Sequence, residues 1–291
     1  MDNALPPASR EVTPATLAAA GSASPPALRD TLRRPWRQLR RHPRLAAALM
    51  ALRRAHHPAT WRAQWRRLCS GDTSESFEFS LLYPLLQHYP APWVVDVGAN
   101  DGYACSNSYP FIRRGFRALL IEPNPVAAER CRALHAARPG VRVCNVAASD
   151  RAGVGLLFAD KRGFEGQSFS ASLSTDRNAW TDSAFDRDQS IAVPLQRLDA
   201  LLYEADVPVQ FALLSVDTEG HDLAVLGSLG RYRPAIIITE RYAWNLQNAI
   251  DKQRLLSTLD YYQFTRVGRN EVYLNIRDPH FESRIAHVAR M

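Results

Sequence analysis

The sequence has little of several features on which a fold or a membrane segment can depend. It contains four cysteines, and no two of them have the Cys-x-x-Cys spacing of a metal-binding pair. A chain of 291 residues buries enough core to need no disulfide staples, so we expect idle thiols in a reducing cytosol. The longest apolar run, Leu45–Leu52, is far shorter than the about 20 residues that a membrane-spanning helix needs. These absences exclude a disulfide-rich mini-protein and predict a soluble, cytoplasmic protein.

Acidic residues are nearly absent from one stretch of the chain. Residues 29–68 contain 12 arginines and a single acid, Asp30, which gives this stretch a net charge of +11. Because the whole chain carries +7, the remainder is mildly acidic at −4. A positive charge can indicate nucleic acid, an anionic membrane or anionic substrates. Since the charge is confined to this stretch, we expect no nucleic-acid binding. Two interpretations of residues 29–68 stay open, namely contact with an anionic membrane or glycan, and packing as helices on the domain.

Changes in composition divide the chain into three parts. Residues 1–28 are rich in Ala, Pro, Ser and Thr and lack apolar periodicity, which predicts a disordered tail. Residues 29–74 form a basic extension with three tryptophans, and prolines cut it into short predicted helices. Residues 75–291 are predicted to form the folded domain.

Apolar runs of strand length alternate with helical patterns from about residue 92. The predicted strands are 93–97, 118–122, 141–147, 210–216, 234–240, 263–267 and 272–276, and the predicted helices are 77–88, 103–114, 126–137, 220–229 and 245–259. This alternation predicts an α/β fold, in which a mostly parallel seven-stranded sheet carries helices on both faces and ends in an antiparallel hairpin. Residues 160–190 are polar and predict a long functional or disordered loop.

The strongest local motif is DVGANDG, from Asp96 to Gly102, directly after the first strand. A tight turn from strand to helix needs residues that tolerate a positive φ and let a ligand approach the backbone. Gly98 and Gly102 meet this need, and Asn100 takes the place of a middle glycine. Taken alone, the motif also fits a plain strand-to-helix turn.

An acid at the end of the next strand extends this motif. Glu122 lies 26 residues after Asp96, where a carboxylate can accept hydrogen bonds from both hydroxyls of an adenosine ribose. Nicotinamide cofactors use the same arrangement. The turn, however, lacks the full Gly-x-Gly-x-x-Gly that cradles a pyrophosphate, and Asp101 would repel one. A cofactor that carries an amine and a sulfonium suits these carboxylates better, which favours S-adenosylmethionine over a dinucleotide.

A third motif, SVDTEGHD at residues 215–222, ends the fourth predicted strand. Asp217, Glu219 and His221 are candidates for catalysis, because this strand is expected to lie beside the first at the cofactor crevice. Among them, only His221 has an ordinary pKa suited to a base near neutrality. Asp222 is expected to cap the following helix. A hard divalent cation needs several oxygen ligands, and the sequence assembles no such set, so we expect no metal.

Six motifs in a fixed order resemble the FkbM-type methyltransferases. The motifs are VVDVGANDG, ALLIEPNP, VCNVAASD, VPLQRLDALL, FALLSVDTEGHDLAVLGSL and PAIIITE, and the resemblance covers about residues 75–277. It implies a class I, Rossmann-like methyltransferase domain over residues 75–291. The implied activity is S-adenosylmethionine-dependent O-methylation of a hydroxyl on a sugar, polysaccharide or secondary metabolite. Many relatives carry a Lys where this chain has Ser215, so any role of that Lys is absent here.

The resemblance also assigns individual residues. Those implied to bind the cofactor are Asp96, Gly98, Ala99, Asn100, Asp101, Gly102, Glu122, Pro123, Asn124, Asn145, Ala147 and Ala148. The Asp-x-Glu-Gly element maps onto Asp217, Glu219 and Gly220. Two other function classes stay open, namely a nicotinamide-dependent oxidoreductase and a non-catalytic adapter that docks through residues 29–68. The sequence identifies neither the methyl acceptor nor the oligomeric state.

Overall fold

The computed structural model describes residues 72–74, 76, 78–160, 171–173, 185–242 and 245–288. The expected tail and nearly all of the basic extension lie outside these residues, as does much of the polar segment 160–190. No helix in the described part of the chain is long and apolar enough to span a membrane.

Helices and strands alternate along the described residues. The helices are α1 Glu78–Leu86, α2 Tyr109–Ile112, α3 Pro125–His135, α4 Leu198–Glu204, α5 Asp222–Gly227, α6 Leu246–Thr258 and α7 Phe281–Val288. The strands are β1 Trp93–Val97, β2 Arg117–Ile121, β3 Val141–Cys144, β4 Ala147–Ser149, β5 Gly153–Asp160, β6 Ala171–Ser172, β7 Phe185–Arg197, β8 Leu213–Val216, β9 Ile236–Glu240, β10 Tyr261–Val267 and β11 Asn270–Asn275.

Seven of these described strands form one sheet in the order β10-β11-β9-β8-β1-β2-β3. Neighbours from β3 to β9 are parallel, whereas β11 runs antiparallel to β9 and β10 runs antiparallel to β11. The predicted mixed α/β fold with a seven-stranded, mostly parallel sheet is therefore confirmed. The strand order reverses between β1 and β8, and ligands of such sheets bind beyond the carboxyl ends of the strands at this point.

Alternate residues of the central strands face two separate cores. Val94 packs in a core that contains residues of α1, α2 and α7, including Phe79 and Phe111. Val95 packs in a second core, with residues of α4, α5 and α6 such as Leu201 and Leu256. Every residue of β1, β8 and β9 is buried, as expected for strands that helices cover on both sides.

The helix predicted over residues 103–114 is wrong for most of its length, because only Tyr109–Ile112 is helical. The Asp101 side chain accepts hydrogen bonds from the backbone N–H groups of Tyr103 and Ala104, both at 2.9 Å. Cys105 then adopts a φ of 55°. These local bonds turn the chain away from a helical path before α2 begins.

A second sheet, in the order β4-β7-β5-β6, was not predicted. The strand predicted over 141–147 ends at Cys144, and Ala147–Ser149 instead pairs in parallel with β7. The 13-residue strand β7 extends into the segment expected to be a loop and pairs antiparallel with β5. The sequence of β7 is polar at its start and contains a proline, Pro194. Both features are typical of loops, so the sequence did not predict this strand.

Candidate functional site

A pocket opens at the carboxyl ends of β1, β2 and β8, beneath the second sheet. Its lining residues are Val97, Gly98, Asn100, Ile121, Glu122, Pro123, Asn124, Ala147, Ala148, Leu157, Leu173, Asp217, Thr218 and Glu219. The structure thus brings together the predicted turn, the predicted acid of β2 and the predicted motif after β8. The sequence did not predict the apolar contribution of two leucines. Leu157 belongs to β5 of the second sheet, and Leu173 directly follows β6.

The turn after β1 requires glycine at its first position. The N–H groups of Gly98 and Ala99 donate to the carbonyl oxygen of Ile121 at 2.9 and 3.1 Å. Gly98 has a φ of 88°, and a Cβ there would lie 1.8 Å from the carbonyl oxygen of Asp217. Only glycine permits both this left-handed backbone and this close approach.

Glu122 ties two loops of the pocket together. Its carboxylate accepts hydrogen bonds from the backbone N–H groups of Asn100 and Asn124, each at 2.8 Å. Only 6% of the residue is exposed. Burial raises the pKa of Glu122 to about 7, against the lowering effect of its two backbone hydrogen bonds, and the charge of Asp96 adds to the rise. The carboxyl group therefore titrates close to neutral pH.

Two asparagines shape the loop that follows β2. Asn145 donates from its side-chain amide to the carbonyl oxygens of Glu122 and Pro123, both at 2.9 Å. The Asn124 side chain accepts from the N–H of Val126 at 3.0 Å and so caps helix α3. Asn145 thus supports the pocket from outside its lining, whereas Asn124 is part of the wall.

Other residues predicted to bind the cofactor lie outside the pocket lining. Besides Asn145, those outside the lining are Asp96, Ala99, Asp101 and Gly102. Asp96 is buried and accepts a hydrogen bond from the Ser108 hydroxyl at 2.6 Å, and desolvation raises the pKa of this carboxyl group. Gly102 packs so tightly that a Cβ there would lie 2.7 Å from the Cys131 sulfur. These residues hold the turn in shape.

The loop after β8 has a strained backbone and several tethers. The N–H of Asp217 donates to the carbonyl oxygen of Val97 at 2.9 Å, which continues the pairing of β8 with β1. Glu219 has a φ of 52° and Gly220 a φ of 105°. The N–H of Gly220 donates to the Tyr242 hydroxyl at 2.9 Å. The loop therefore presents Asp217 and Glu219 to the pocket on a backbone that needs external support.

Three carboxylates meet beside this loop. Single oxygens of Asp217, Glu219 and Glu240 all lie within 4.8 Å of one another. The Oδ1 atom of Asp217 is buried without a hydrogen-bond partner among the described residues. Desolvation, followed by the charges of Glu240 and Glu219, raises the pKa of Asp217 well above its ordinary value. The Arg269 side chain is 65% exposed, and its guanidinium lies 3.1 Å from Glu240 Oε1, where it partly offsets the negative charge of the carboxylates.

Glu240 was not predicted as a site residue from the sequence, although its position at the end of a strand could have indicated it. It ends β9, the strand beside β8, and the carboxyl ends of parallel neighbours meet at one edge of the sheet. Three clustered carboxylates also form the kind of oxygen set that hard divalent cations bind, a set that the sequence had not revealed.

His221 lies apart from the pocket lining. Its Nε2 atom is 2.9 Å from the hydroxyl oxygen of Ser149, which is fully buried on β4. The Ser149 hydroxyl is also 3.2 Å from a carboxylate oxygen of Asp150. Burial lowers the pKa of His221 despite the opposing charges of Asp150 and Asp222. The His221 ring thus contacts the second sheet, and burial disfavours its charged form.

Comparison with known proteins supplies the class of the protein. Residues 96–266 match the family model described as the methyltransferase FkbM domain, which covers more than half of the chain. The protein therefore contains a methyltransferase domain. It belongs to the FkbM methyltransferase family, and the resemblance found in its motifs is confirmed.

Other comparisons add little. Among solved structures, the chain is similar to monomeric WbdD, with 14% identity and a TM-score of 0.36. That similarity covers 67% of this chain and 38% of that chain, and it is too low to support a functional comparison. No curated protein matches the sequence at a significant level.

Proposed function

We propose that the protein is an S-adenosylmethionine-dependent O-methyltransferase that acts on a hydroxyl of a sugar, polysaccharide or secondary metabolite. The observation that carries the proposal is the acidic lining of the pocket. Glu122 lies on one wall and Asp217 and Glu219 on another, and none of the described lining residues is Lys or Arg. A bound cation favours the ionised form of these carboxyl groups, so such a pocket suits a ligand with an ammonium and a sulfonium and disfavours a pyrophosphate. This disfavours a nicotinamide-dependent oxidoreductase.

The residues present fit an adenosine. Each oxygen of Glu122 accepts one backbone hydrogen bond and keeps a second lone pair for a ribose hydroxyl. Ile121, Ala148 and Leu157 supply an apolar surface beside that carboxylate, suited to the face of an adenine. A pocket that keeps both features also argues against a non-catalytic adapter.

The chemistry that S-adenosylmethionine supplies is an electrophilic methyl group. In the proposed reaction the acceptor oxygen would form a bond to this methyl carbon as its bond to sulfur breaks, and the products would be a methyl ether and S-adenosylhomocysteine. The chain's main contribution is to align the acceptor with the bound cofactor. A side chain must also take up the hydroxyl proton.

Asp217 is the better candidate for this base. It lines the pocket, and its buried Oδ1 atom has no hydrogen-bond partner among the described residues. The raised pKa of its carboxyl group makes the ionised form a stronger base than an ordinary carboxylate. His221 lies outside the lining and already engages Ser149. Because Asp217 takes the proton and Arg269 already faces Glu240, we propose that transfer needs no metal.

Calorimetry with S-adenosylmethionine, S-adenosylhomocysteine and NAD tests the cofactor. We expect binding of the first two and none of NAD, and binding of NAD alone would contradict the proposal. Transfer of a radiolabelled methyl group to a panel of glycans and small hydroxyl compounds tests the acceptor class. The assay should give the same rate with EDTA, whereas activity that returns only on addition of magnesium would overturn the metal-free proposal.

A further inference from the structure

Lys252, on α6, is fully buried with 0% of its side chain exposed, which is rare for lysine. Its ammonium donates to Asp222 Oδ2 at 3.2 Å, to the Thr239 hydroxyl at 3.1 Å and to the backbone carbonyl oxygen of Glu240. A lysine ammonium has three donors, so these acceptors satisfy it completely. The charge sits directly behind the end of β9, where the carboxylate cluster begins.

Asp222 connects this ammonium to the pocket loop. Its Oδ2 atom accepts from Lys252 and, at 2.8 Å, from the Thr239 hydroxyl. Its Oδ1 atom accepts from the N–H and the hydroxyl of Thr218, at 3.0 and 2.6 Å. One carboxylate oxygen therefore faces the buried cation and the other holds the loop. The expected role of Asp222 as a plain helix cap understates these contacts.

The bonds to Thr218 act at the place where the loop needs support. Thr218 lines the pocket between the two acidic residues of the motif, Asp217 and Glu219. Glu219 has a left-handed backbone that a side chain of its kind rarely adopts. A second tether runs from Gly220 to the hydroxyl of Tyr242, whose ring centroid lies 5.8 Å from the Lys252 ammonium.

We propose that Lys252 and Asp222 form a positioning pair, which fixes the loop 217–221 for the bound cofactor and acceptor. Lys252 keeps the ionised Asp222 in place, and Asp222 holds Thr218. A buried ion pair often stabilises a fold no better than an apolar pair of similar size, so stability alone gives little reason for it. The effect on the cofactor rests on the proposed function, whereas the restraint of the loop does not.

A single substitution tests this poorly, because Lys252→Met leaves the buried charge of Asp222 unpaired and threatens the fold. Two double variants avoid that problem, since neither buries a charge. Lys252→Met with Asp222→Asn keeps a side-chain oxygen that can accept the hydrogen bonds of Thr218. Lys252→Met with Asp222→Ala removes it. The two variants thus differ in the tether to the loop.

Hydrogen exchange of residues 217–221 and calorimetry with S-adenosylmethionine provide the readouts. We expect exchange in this loop to be at least about tenfold faster in the Ala double variant than in the Asn double variant. Cofactor affinity should be weaker by about the same factor, and the Asn variant should lie between the Ala variant and the wild type, because it keeps the acceptor for Thr218 but lacks the ammonium that holds residue 222. A matched control is Arg284→Met with Asp278→Asn, which removes another buried pair and should change neither readout at the loop.

Equal exchange in the two double variants would overturn the proposal, and so would faster loop exchange in the Arg284 control. If the wild type binds no S-adenosylmethionine but the two variants differ in exchange, the positioning pair stands and the proposed cofactor falls.

Discussion

Gly98 lies against the carbonyl oxygen of Asp217, so closely that a Cβ at position 98 would be 1.8 Å from that oxygen. The two residues belong to different motifs, one after β1 and the other after β8. Their backbones form one surface at the point where the strand order of the sheet reverses. The turn after β1 and the loop after β8 are therefore a single structural unit, and we expect a change in one to displace the other.

Gly98→Ala should abolish binding of S-adenosylmethionine and destabilise the fold. Gly115→Ala is a matched control, because Gly115 has a φ of 87° but no atom of the described residues lies within 4 Å of its would-be Cβ. Both variants incur the left-handed backbone penalty of roughly 1 kcal/mol, but only Gly98→Ala also clashes with backbone. We expect it to lose at least about 2 kcal/mol more in urea unfolding. Equal losses would show that the close approach does not matter.

The Glu122→Gln variant should become more stable relative to the wild type as the pH rises. The pKa of Glu122 is about 7 in the folded state, above its ordinary 4.5, so the folded state binds the extra proton between these values. Its contribution to stability is complete below pH 4.5 and is lost as the pH rises through 7.

Glutamine cannot titrate, so the unfolding free energy of the variant relative to wild type should rise by up to about 3 kcal/mol between pH 4.5 and 8. Urea unfolding of both proteins across this range measures the difference. A difference that does not change with pH would contradict a buried, titrating carboxyl group.

Asp217→Asn should stabilise the protein at neutral pH. The folded-state pKa of Asp217 is raised by burial and by Glu240 and Glu219, so deprotonation destabilises the fold as the pH rises. An amide at this position removes the repulsion and can donate to Glu240. We expect a gain of about 1 kcal/mol, measured by thermal or urea unfolding, with Glu204→Gln as a control at an exposed acid. A loss of stability would refute this interpretation of the cluster.

The same variant should lose most of its methyl transfer, whereas His221→Gln should not. If Asp217 is the base, Asp217→Asn should lower the rate by about 10²–10⁴-fold with an acceptor identified from the panel. His221→Gln keeps a polar side chain opposite Ser149 and should retain the rate within about threefold, because the ring lies outside the pocket lining. The reverse order of effects would make His221 the base.

Most of the fold could be predicted because its elements follow local rules. The strands β1, β8 and β9 are buried throughout and have mostly apolar sequences, and Glu122 was predicted from its spacing to Asp96. The second sheet depends on long-range pairing of a polar strand, which leaves no periodic signal. Glu240 and Lys252 were not predicted as functional residues, because their roles depend on contacts with residues that only the strand order brings together.

Calorimetry with S-adenosylmethionine on the wild type, Glu122→Ala and Glu129→Ala tests the proposed cofactor site most directly. Glu129 is a matched control, since it is an exposed acid on α3 outside the pocket. We predict one bound molecule per chain in the wild type, unchanged affinity in Glu129→Ala and a loss of at least about tenfold in Glu122→Ala, which removes the acceptor of the ribose hydroxyls. Equal affinity in Glu122→Ala, or no binding by the wild type, would contradict the proposed site.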